Sequence, residues 1–459
     1  GRCSTPSRPT LALNTHMRVA NTPPRAAGVG VVRAFSIDAT IFVLWTLLNT
    51  VDGMLQLARF LLEPVRRLVT PNKRKKEVVI VGASFGGLAV KGGLAGRDDL
   101  SVTLVDFKDY FEYTPGILRC FIDPTYLRRL TCALPQRRNK LVTGEVKGIT
   151  PTAVTIRKAD GSSYELGFDY LVLACGSTYQ QPIKPVAAEH SLAQREASWA
   201  KAGARLEAAR DVIIVGAGAV GVELAGEILT KFPQKKVTFV DMAPTILPGF
   251  APKCAQYSLA WLQARGVVMR LGEAIAAIDD ASITLKSGEV MAADVVYKCV
   301  GVMPNTAMLK ESPFKSAFGF RDSIVVNDQL QLAGHPNIFA VGDMMSHDSR
   351  ELKLGHTAEV NGHLVAHNIA HTQDGKPLLS YPEGVVGAKT TPKIFCLSLG
   401  AYDASLGFNW LVVNGWVSAV FKWLLEWTKV AAARERPVGV LFWKVADWSS
   451  MLLGRTLLA

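Results

Sequence analysis

Cysteine is scarce in this 459-residue chain: there are seven, scattered and nowhere spaced CxxC, which excludes a disulfide-stapled scaffold. Acids are missing from residues 1–37, where Arg2, Arg8, Arg18, Arg25 and Arg33 stand among Ser, Thr and Pro. Net charge is missing from the body of the chain. Residues 1–76 carry twelve Lys and Arg against Asp38, Asp52 and Glu63, residues 408–459 carry six against three acids, and residues 77–407 balance. The overall charge of +12 is therefore confined to the two ends, and the case for nucleic-acid binding falls with it. An apolar content of 49% excludes a mainly disordered protein, and the length asks for two or three domains.

The acid-free arm has the composition of an organellar presequence. Beyond it, Ala39 to Leu62 is apolar and long enough to cross a bilayer. Its polar residues, Asn49, Asp52, Gln56, Arg59, Glu63 and Arg66, recur every three or four positions, opposite Leu47, Leu48, Val51 and Leu55. The stripe predicts an amphipathic helix on a membrane surface or against a partner. A spanning helix and a helix packed on the protein's own body are the alternatives. Arg66, Arg67 and Lys73–Lys76 would then meet anionic headgroups. Six of the nine Trp lie between 410 and 448, around a second stripe of Asn414, Ser418, Lys422 and Glu426. That segment predicts another membrane-seeking helix, with a plain core helix as the alternative.

Between the ends, Val78–Val81 is an apolar run of the kind found in buried parallel strands. It opens into Gly82, Ala83, Ser84, Phe85, Gly86 and Gly87, followed by a helical pattern. This is a dinucleotide fingerprint with Ser84 at the second glycine position. The next strand, Ser101–Val105, ends in Asp106, placed to accept from ribose hydroxyls. A second copy begins at Asp211 and runs through Gly216, Gly218 and Gly221 to Asp241. An acid at Asp241 would repel a 2′-phosphate, which favours NADH over NADPH.

Two more turns, Cys175-Gly176 after Leu171–Ala174 and Gly342-Asp343 after Asn337–Val341, complete an order that resembles the two-dinucleotide-fold flavoproteins. The resemblance implies an α/β protein with two Rossmann-type domains of the glutathione-reductase-like flavoprotein fold. FAD would lie on the first fingerprint, with Asp343 as a flavin residue, and the nicotinamide cofactor on the second. The implied division is an arm and helix at 1–76, FAD-binding parts at 77–188 and 315–384, an NADH-binding part at 189–314 and a C-terminal membrane- or partner-binding region at 385–459. The helix after the first fingerprint lacks the CxxxxC of the disulfide reductases.

A narrower resemblance, to the apoptosis-inducing-factor-2-like, ferroptosis-suppressor-type quinone reductases and their type II NADH dehydrogenase relatives, rests on several segments. These are Val105 to Phe111 with Leu118 and Arg119, Gly216 to Glu223, and Leu397 to Gly400. It implies hydride transfer from NADH to FAD and then two electrons to a membrane quinone, without proton pumping, and a possible homodimer. It adds Lys108 and Arg119 to the cofactor-binding residues and gives Glu223 a positioning or proton-handling role. Where type II dehydrogenases carry two glutamines facing the quinone, this chain has Glu359 and His363. These form either a proton relay or a surface helix pair. His356, His363, His367 and His371 share a helix stripe, but no carboxylate or Cys set completes a metal site. The expected place is the periphery of the mitochondrial inner membrane, with a plastid membrane as the alternative. A flavoprotein accessory subunit docked in a larger membrane complex is the competing function.

Overall fold

The computed structural model describes residues 31–66, 75–134, 140–310 and 313–457. The presequence-like residues 1–30 and the basic cluster from Arg67 to Arg74 lie outside the described residues. Helix α1 (Val31–Arg66) precedes a first sheet built from strands on both sides of a second one in sequence. β1 (Lys76–Val81) enters it, followed by helix α2 (Phe85–Gly93), β2 (Leu100–Asp106), β3 (Lys140–Thr143) and β4 (Tyr170–Leu173). The second sheet comes from β5 (Asp211–Val215), helix α3 (Ala219–Lys231), β6 (Lys236–Asp241), β7 (Val268–Leu271) and β8 (Val295–Lys298). The chain then returns to the first sheet with β9 (Gln331–Leu332) and β10 (His335–Ala340).

The strand orders are β9–β10–β4–β1–β2–β3 and β7–β6–β5–β8. β1 is buried on both faces from Val78 onward and pairs in parallel with β2 and β4, Val78 opposite Val102 and Tyr170. β5 repeats this between β6 and β8, Val212 opposite Val237 and Val295. The second sheet is parallel and the first is parallel except at its β9–β10 edge, which is antiparallel, and each fingerprint sits at the carboxyl end of a central strand, the usual ligand side of such sheets.

After β10, helix α4 (Gly355–Asp374) packs against α2, where a side chain at Gly362 would strike the Gly86 carbonyl at 2.5 Å. A meander of β11 (Ile394–Ser398), β12 (Ala404–Phe408) and β13 (Leu411–Asn414) leads to helix α5 (Trp416–Ala433). The chain turns at Arg434–Arg436 into α6 (Pro437–Leu457).

Both end helices turn part of their polar stripes inward, Asn49 and Asp52 on α1 and Ser418 and Glu426 on α5. Asp52 is only 2% exposed, accepts the Val438 amide at 3.1 Å and lies 3.7 Å from the Arg436 guanidinium, which also donates to Asn49 at 3.0 Å. Asn49 and Asp52 of α1 thus pack on the protein's own C-terminal helices, while Gln56 and the apolar Phe42, at 60%, and Met54, at 67%, stay exposed. α5 does the same: Ser418 and Glu426 are buried, and Trp416, Val417 and Phe421 are exposed. α6 presents Leu441, Val445 and Trp448 outward, and the two-residue turn between β12 and β13 lifts Trp410 to 85% exposure. Desolvating Asp52 and Glu426 is tolerable because each finds a partner inside the protein.

Candidate functional site

The two fingerprints form two nearly superimposable cradles. Gly82 and Gly216 have φ of +108° and +107°, and a side chain on either would strike a backbone oxygen, Ala174 at 2.2 Å and Cys299 at 2.7 Å. Gly87 and Gly221 let helix and strand meet: their missing Cβ atoms would fall 1.8 Å and 2.0 Å from the carbonyls of Gly82 and Gly216. The acids at the ends of β2 and β6 brace the turns. Asp106 accepts the Ala83 amide at 2.7 Å and the Lys108 amide at 3.1 Å. Asp241 accepts the Ala217 amide at 2.6 Å and the Ala243 amide at 2.8 Å. Lys108 is buried, its ammonium on the Tyr110 carbonyl at 3.0 Å and 3.5 Å from Asp106.

The middle positions differ. Ser84 caps α2 in an ordinary extended conformation and makes no side-chain cap bond. At Gly218 a Cβ would meet nothing within 4 Å. The protein itself therefore does not demand glycine at that place. Phe85 turns its ring into an edge-to-face cluster with Phe111 and Tyr113, both centroids 5.9 Å away, leaving its backbone at the start of the helix.

Beside the first cradle, Ser177 donates to Asp343 at 2.6 Å, and Lys184 lies 3.8 Å from the same carboxylate. Gly342 and Gly176 take positive φ to make their turns. The Gly342 amide donates to Asn361 on α4 at 3.0 Å, and Lys353 donates to its carbonyl at 3.2 Å. Burial pulls the Lys353 ammonium below its ordinary value against the pull of Glu351 and Asp343. Cys175 is held on the Val81 carbonyl at 3.6 Å, and burial pushes its thiol up to about 12.

Between the two folds and the C-terminal helices lies a small cleft with about 50 Å³ of internal space. Glu223, on α3, is buried and accepts from the Ser398 amide at 2.8 Å, the Ser398 hydroxyl at 3.0 Å and the Lys422 ammonium at 2.9 Å. It is not an exposed helix acid. Burial works against the Lys422 charge, yet Glu223, with Cys396 and Glu426 nearby, holds the ammonium above the ordinary lysine value. Arg119 forks onto Glu227 of α3 at 3.0 Å and 3.2 Å and reaches the Tyr126 hydroxyl at 3.2 Å. Tyr126 in turn donates to Glu426 at 2.5 Å. Burial raises the Glu426 carboxyl above its ordinary value, against Arg119, Tyr126 and Lys422. Arg119, expected among the cofactor residues, thus stands in a charge cluster that ties the two folds together.

Sequence reasoning missed Tyr126, Lys422 and Glu426 as site residues. Lys422 and Glu426 were visible only as members of a stripe, and their i,i+4 spacing on an apolar helix was the usable signal. On α4, Glu359 is ion-paired with Lys429 of α5, whose ammonium lies 3.0 Å from the Trp443 ring centroid. His363 is half-buried four residues on. The ring nitrogens of His367 and His371 lie on the carbonyls of His363 and Pro377 at 2.7 Å and 2.6 Å. Among the described residues, no group of three or more His, Cys, Asp or Glu is placed to hold a metal ion.

Residues 76–362 match the family model for pyridine nucleotide-disulphide oxidoreductases. The chain belongs to that family. It is an FAD-dependent pyridine nucleotide oxidoreductase. Ferroptosis suppressor protein 1 of Xenopus tropicalis is 29% identical over 72% of this chain and 88% of its own length. The sulfide:quinone oxidoreductase of Aquifex aeolicus shares the fold at a TM-score of 0.65 and 19% identity, over 79% of this chain and 92% of that one. NDH2 from Plasmodium falciparum, solved in complex with NADH, shares it at 0.61 and 14%, over 80% of this chain and all of its own.

The residues of this oxidoreductase fit its two cofactors. Neither α2 nor α3 has a side chain capping its first turn, so the amides at both helix starts are left for a pyrophosphate. The first cradle would hold FAD, with Asp106 toward the ribose and Asp343 beside the flavin chain. The second would hold the nicotinamide dinucleotide. Bound FAD supplies acceptance of a hydride and release of two electrons. Despite the family's name, the six described cysteines are all free.

Proposed function

We propose that this oxidoreductase takes its reducing equivalents from NADH and delivers them to a quinone at a membrane surface. The observation that carries the reading is that the charged cleft is walled by α1 and α5, whose outward residues Phe42, Val43, Val417 and Phe421 are apolar and exposed. The overall change is NADH plus one proton plus quinone to NAD⁺ plus quinol. The hydride carries both electrons, and the quinol takes up two protons in all.

Glu223 is the group to stabilise the positive charge that develops on a nicotinamide losing hydride, because Ser398 and Lys422 fix its carboxylate in place. Lys422 offers a buried cation to the oxygens of a quinone gaining electrons. Glu426, raised by burial and held by Tyr126, keeps a proton to higher pH than an exposed carboxyl would. Glu359 and His363 on α4 are the second candidates for proton delivery. Preference for NADH is supported at Asp241: the neighbouring Arg270 spends its guanidinium on Glu273 and Glu289, at 3.1 Å and 2.8 Å, rather than offering it to a 2′-phosphate.

Helix α1 has the length and composition to cross a bilayer over Ser36–Ala58. Contacts from Ile37 to Asp52 tie it along the body, which favours a helix lying in the membrane surface over one crossing it. The acid-free arm supports an organellar destination, the mitochondrial inner membrane first and a plastid membrane second.

The test is an anaerobic titration of the FAD-loaded protein. NADH is expected to bleach the flavin and a short-chain quinone to restore it. A flavin that NADH does not bleach would favour the accessory-subunit reading, in which the same apolar face meets partner proteins.

A further inference from the structure

Glu351 is a buried acid outside the charged cleft. It stands in the irregular stretch between the Gly342-Asp343 turn and α4, with 1% of its side chain exposed. Its Oε2 accepts from the Tyr381 hydroxyl and from the Asn361 side-chain amide at 3.5 Å. Among the described residues its Oε1 accepts no hydrogen bond, and the Lys353 ammonium stops 3.6 Å away. A buried carboxylate oxygen left short of its cation carries a desolvation cost that no hydrogen bond offsets.

Lys353 stands on the wall of the first cradle. Its ammonium donates to the Gly342 carbonyl at 3.2 Å, its one hydrogen bond among the described residues, which leaves two of its three donors spare. Two residues on, Gly355 opens α4 against the first fingerprint, where a Cβ would lie 3.2 Å from the Phe85 ring. Protein crowds the ammonium enough for burial to pull it below its ordinary value, yet 36% of the side chain stays open. Crowded and open together describe a group on a concave wall rather than on an outer surface. Asp343, on the same turn, is occupied by the Ser177 hydroxyl at 2.6 Å and by Lys184 at 3.8 Å.

Glu351 also reaches the turn that carries Asp343. The Gly342 amide donates to Asn361 and the Gly342 carbonyl accepts from Lys353, and both of those side chains face Glu351. A brace needs no net charge. A fixed cation with a loosely held counter-charge behind it does more, because it sets the electrostatic potential inside the cradle.

We propose that Lys353 and Glu351 set the reduction potential of the flavin held in the first cradle. Lys353 stabilises the charge that the cofactor takes up, and Glu351 positions that cation and limits its field. NADH leaving as NAD⁺ gives up a hydride, two electrons and one proton, so the cofactor's side of the exchange gains one negative charge. The inference rests on FAD in the first cradle and holds whatever the acceptor is.

The measurement is the two-electron midpoint potential of the full-length FAD-loaded protein, read spectroscopically against an indicator dye with neither NADH nor quinone present. Lys353→Met keeps the length of the side chain and removes its charge. It is expected to make flavin reduction about tenfold less favourable, ~30 mV lower. Lys353→Arg is expected to stay within about threefold of wild type. Glu351→Gln is expected to move the potential the other way, about threefold or ~14 mV higher, because the cation loses its counter-charge. Opposite signs are the signature of charge. Loss of a brace would lower the melting temperature of both variants without ordered, opposite shifts in potential. Shifts of the same sign, or unchanged potentials, overturn the proposal and leave the pair a brace of the turn. If Lys353→Met sheds its flavin, Glu351→Gln decides alone: a higher potential supports the proposal, and an equal or lower one contradicts it.

Discussion

The two cradles are built alike, yet only the first is roofed. A side chain at Gly86 would meet Val341 at 3.0 Å and the Ala358 carbonyl at 3.2 Å, because β10 and α4 close over that turn. Its counterpart in the second fold is Val220, which already carries a side chain and is only half-buried. Asp106 is buried with Lys108 beside it, whereas Asp241 is half-exposed. The same local geometry therefore serves two uses: a covered cradle suits a group that stays, and an open one suits a group that comes and goes with each turnover. Glycine is imposed by the protein at the first and last positions of each fingerprint and left to the ligand at the middle one.

The sharpest way to separate the cradles is to block one. Gly216→Ala puts a Cβ 2.6 Å from Val300 and 2.7 Å from the Cys299 carbonyl at positive φ, a strain of more than about 3 kcal/mol. We expect the purified variant to keep its flavin absorbance and to lose bleaching by NADH; loss of flavin instead would mean the folds are not independent. A smaller effect is expected from Asp241→Asn. Removing the carboxylate should narrow the NADH-over-NADPH preference in kcat/KM about tenfold, or ~1.4 kcal/mol. An unchanged preference would place cofactor selection elsewhere.

The cleft between the cradles carries its own pH dependence. The raised Glu426 carboxyl binds its proton more tightly in the folded protein than in the unfolded chain. Its contribution to stability is therefore fully present below the ordinary carboxylate range and is lost as pH rises through the folded value. Thermal melts of Glu426→Gln and wild type should diverge as pH rises, with the glutamine variant gaining relative to wild type. The smallest effect is reserved for Ser84→Gly. Since the protein does not crowd the equivalent Gly218, FAD affinity measured by flavin release should change by less than about 1 kcal/mol.

Much of this was legible in the sequence because glycine and acid at fixed spacing report backbone constraints that are local. Gly82, Gly87, Asp106 and their second copies are dictated by a strand, a turn and a helix within 25 residues of one another. The cleft was not legible in that way. Arg119 meets Glu227 across 108 positions, Glu223 meets Lys422 across 199, and Tyr126 meets Glu426 across 300. No local pattern encodes such pairings. The end helices were half legible: periodicity showed two faces on α1 and on α5, but could not say that the polar face of each turns toward the protein. Asp52 meets Val438 and Arg436 only once the two ends of the chain are brought together, and Glu426 meets Tyr126 only once α5 folds onto the first domain.

The central claim is that the cleft under the apolar face is where NADH oxidation and quinone reduction meet. Double-mixing stopped-flow on Glu223→Gln tests it most directly, following flavin bleaching by NADH and then reoxidation by quinone. The account predicts bleaching slowed about a hundredfold or more, with flavin content and thermal stability close to wild type. Wild-type rates in both phases would contradict it.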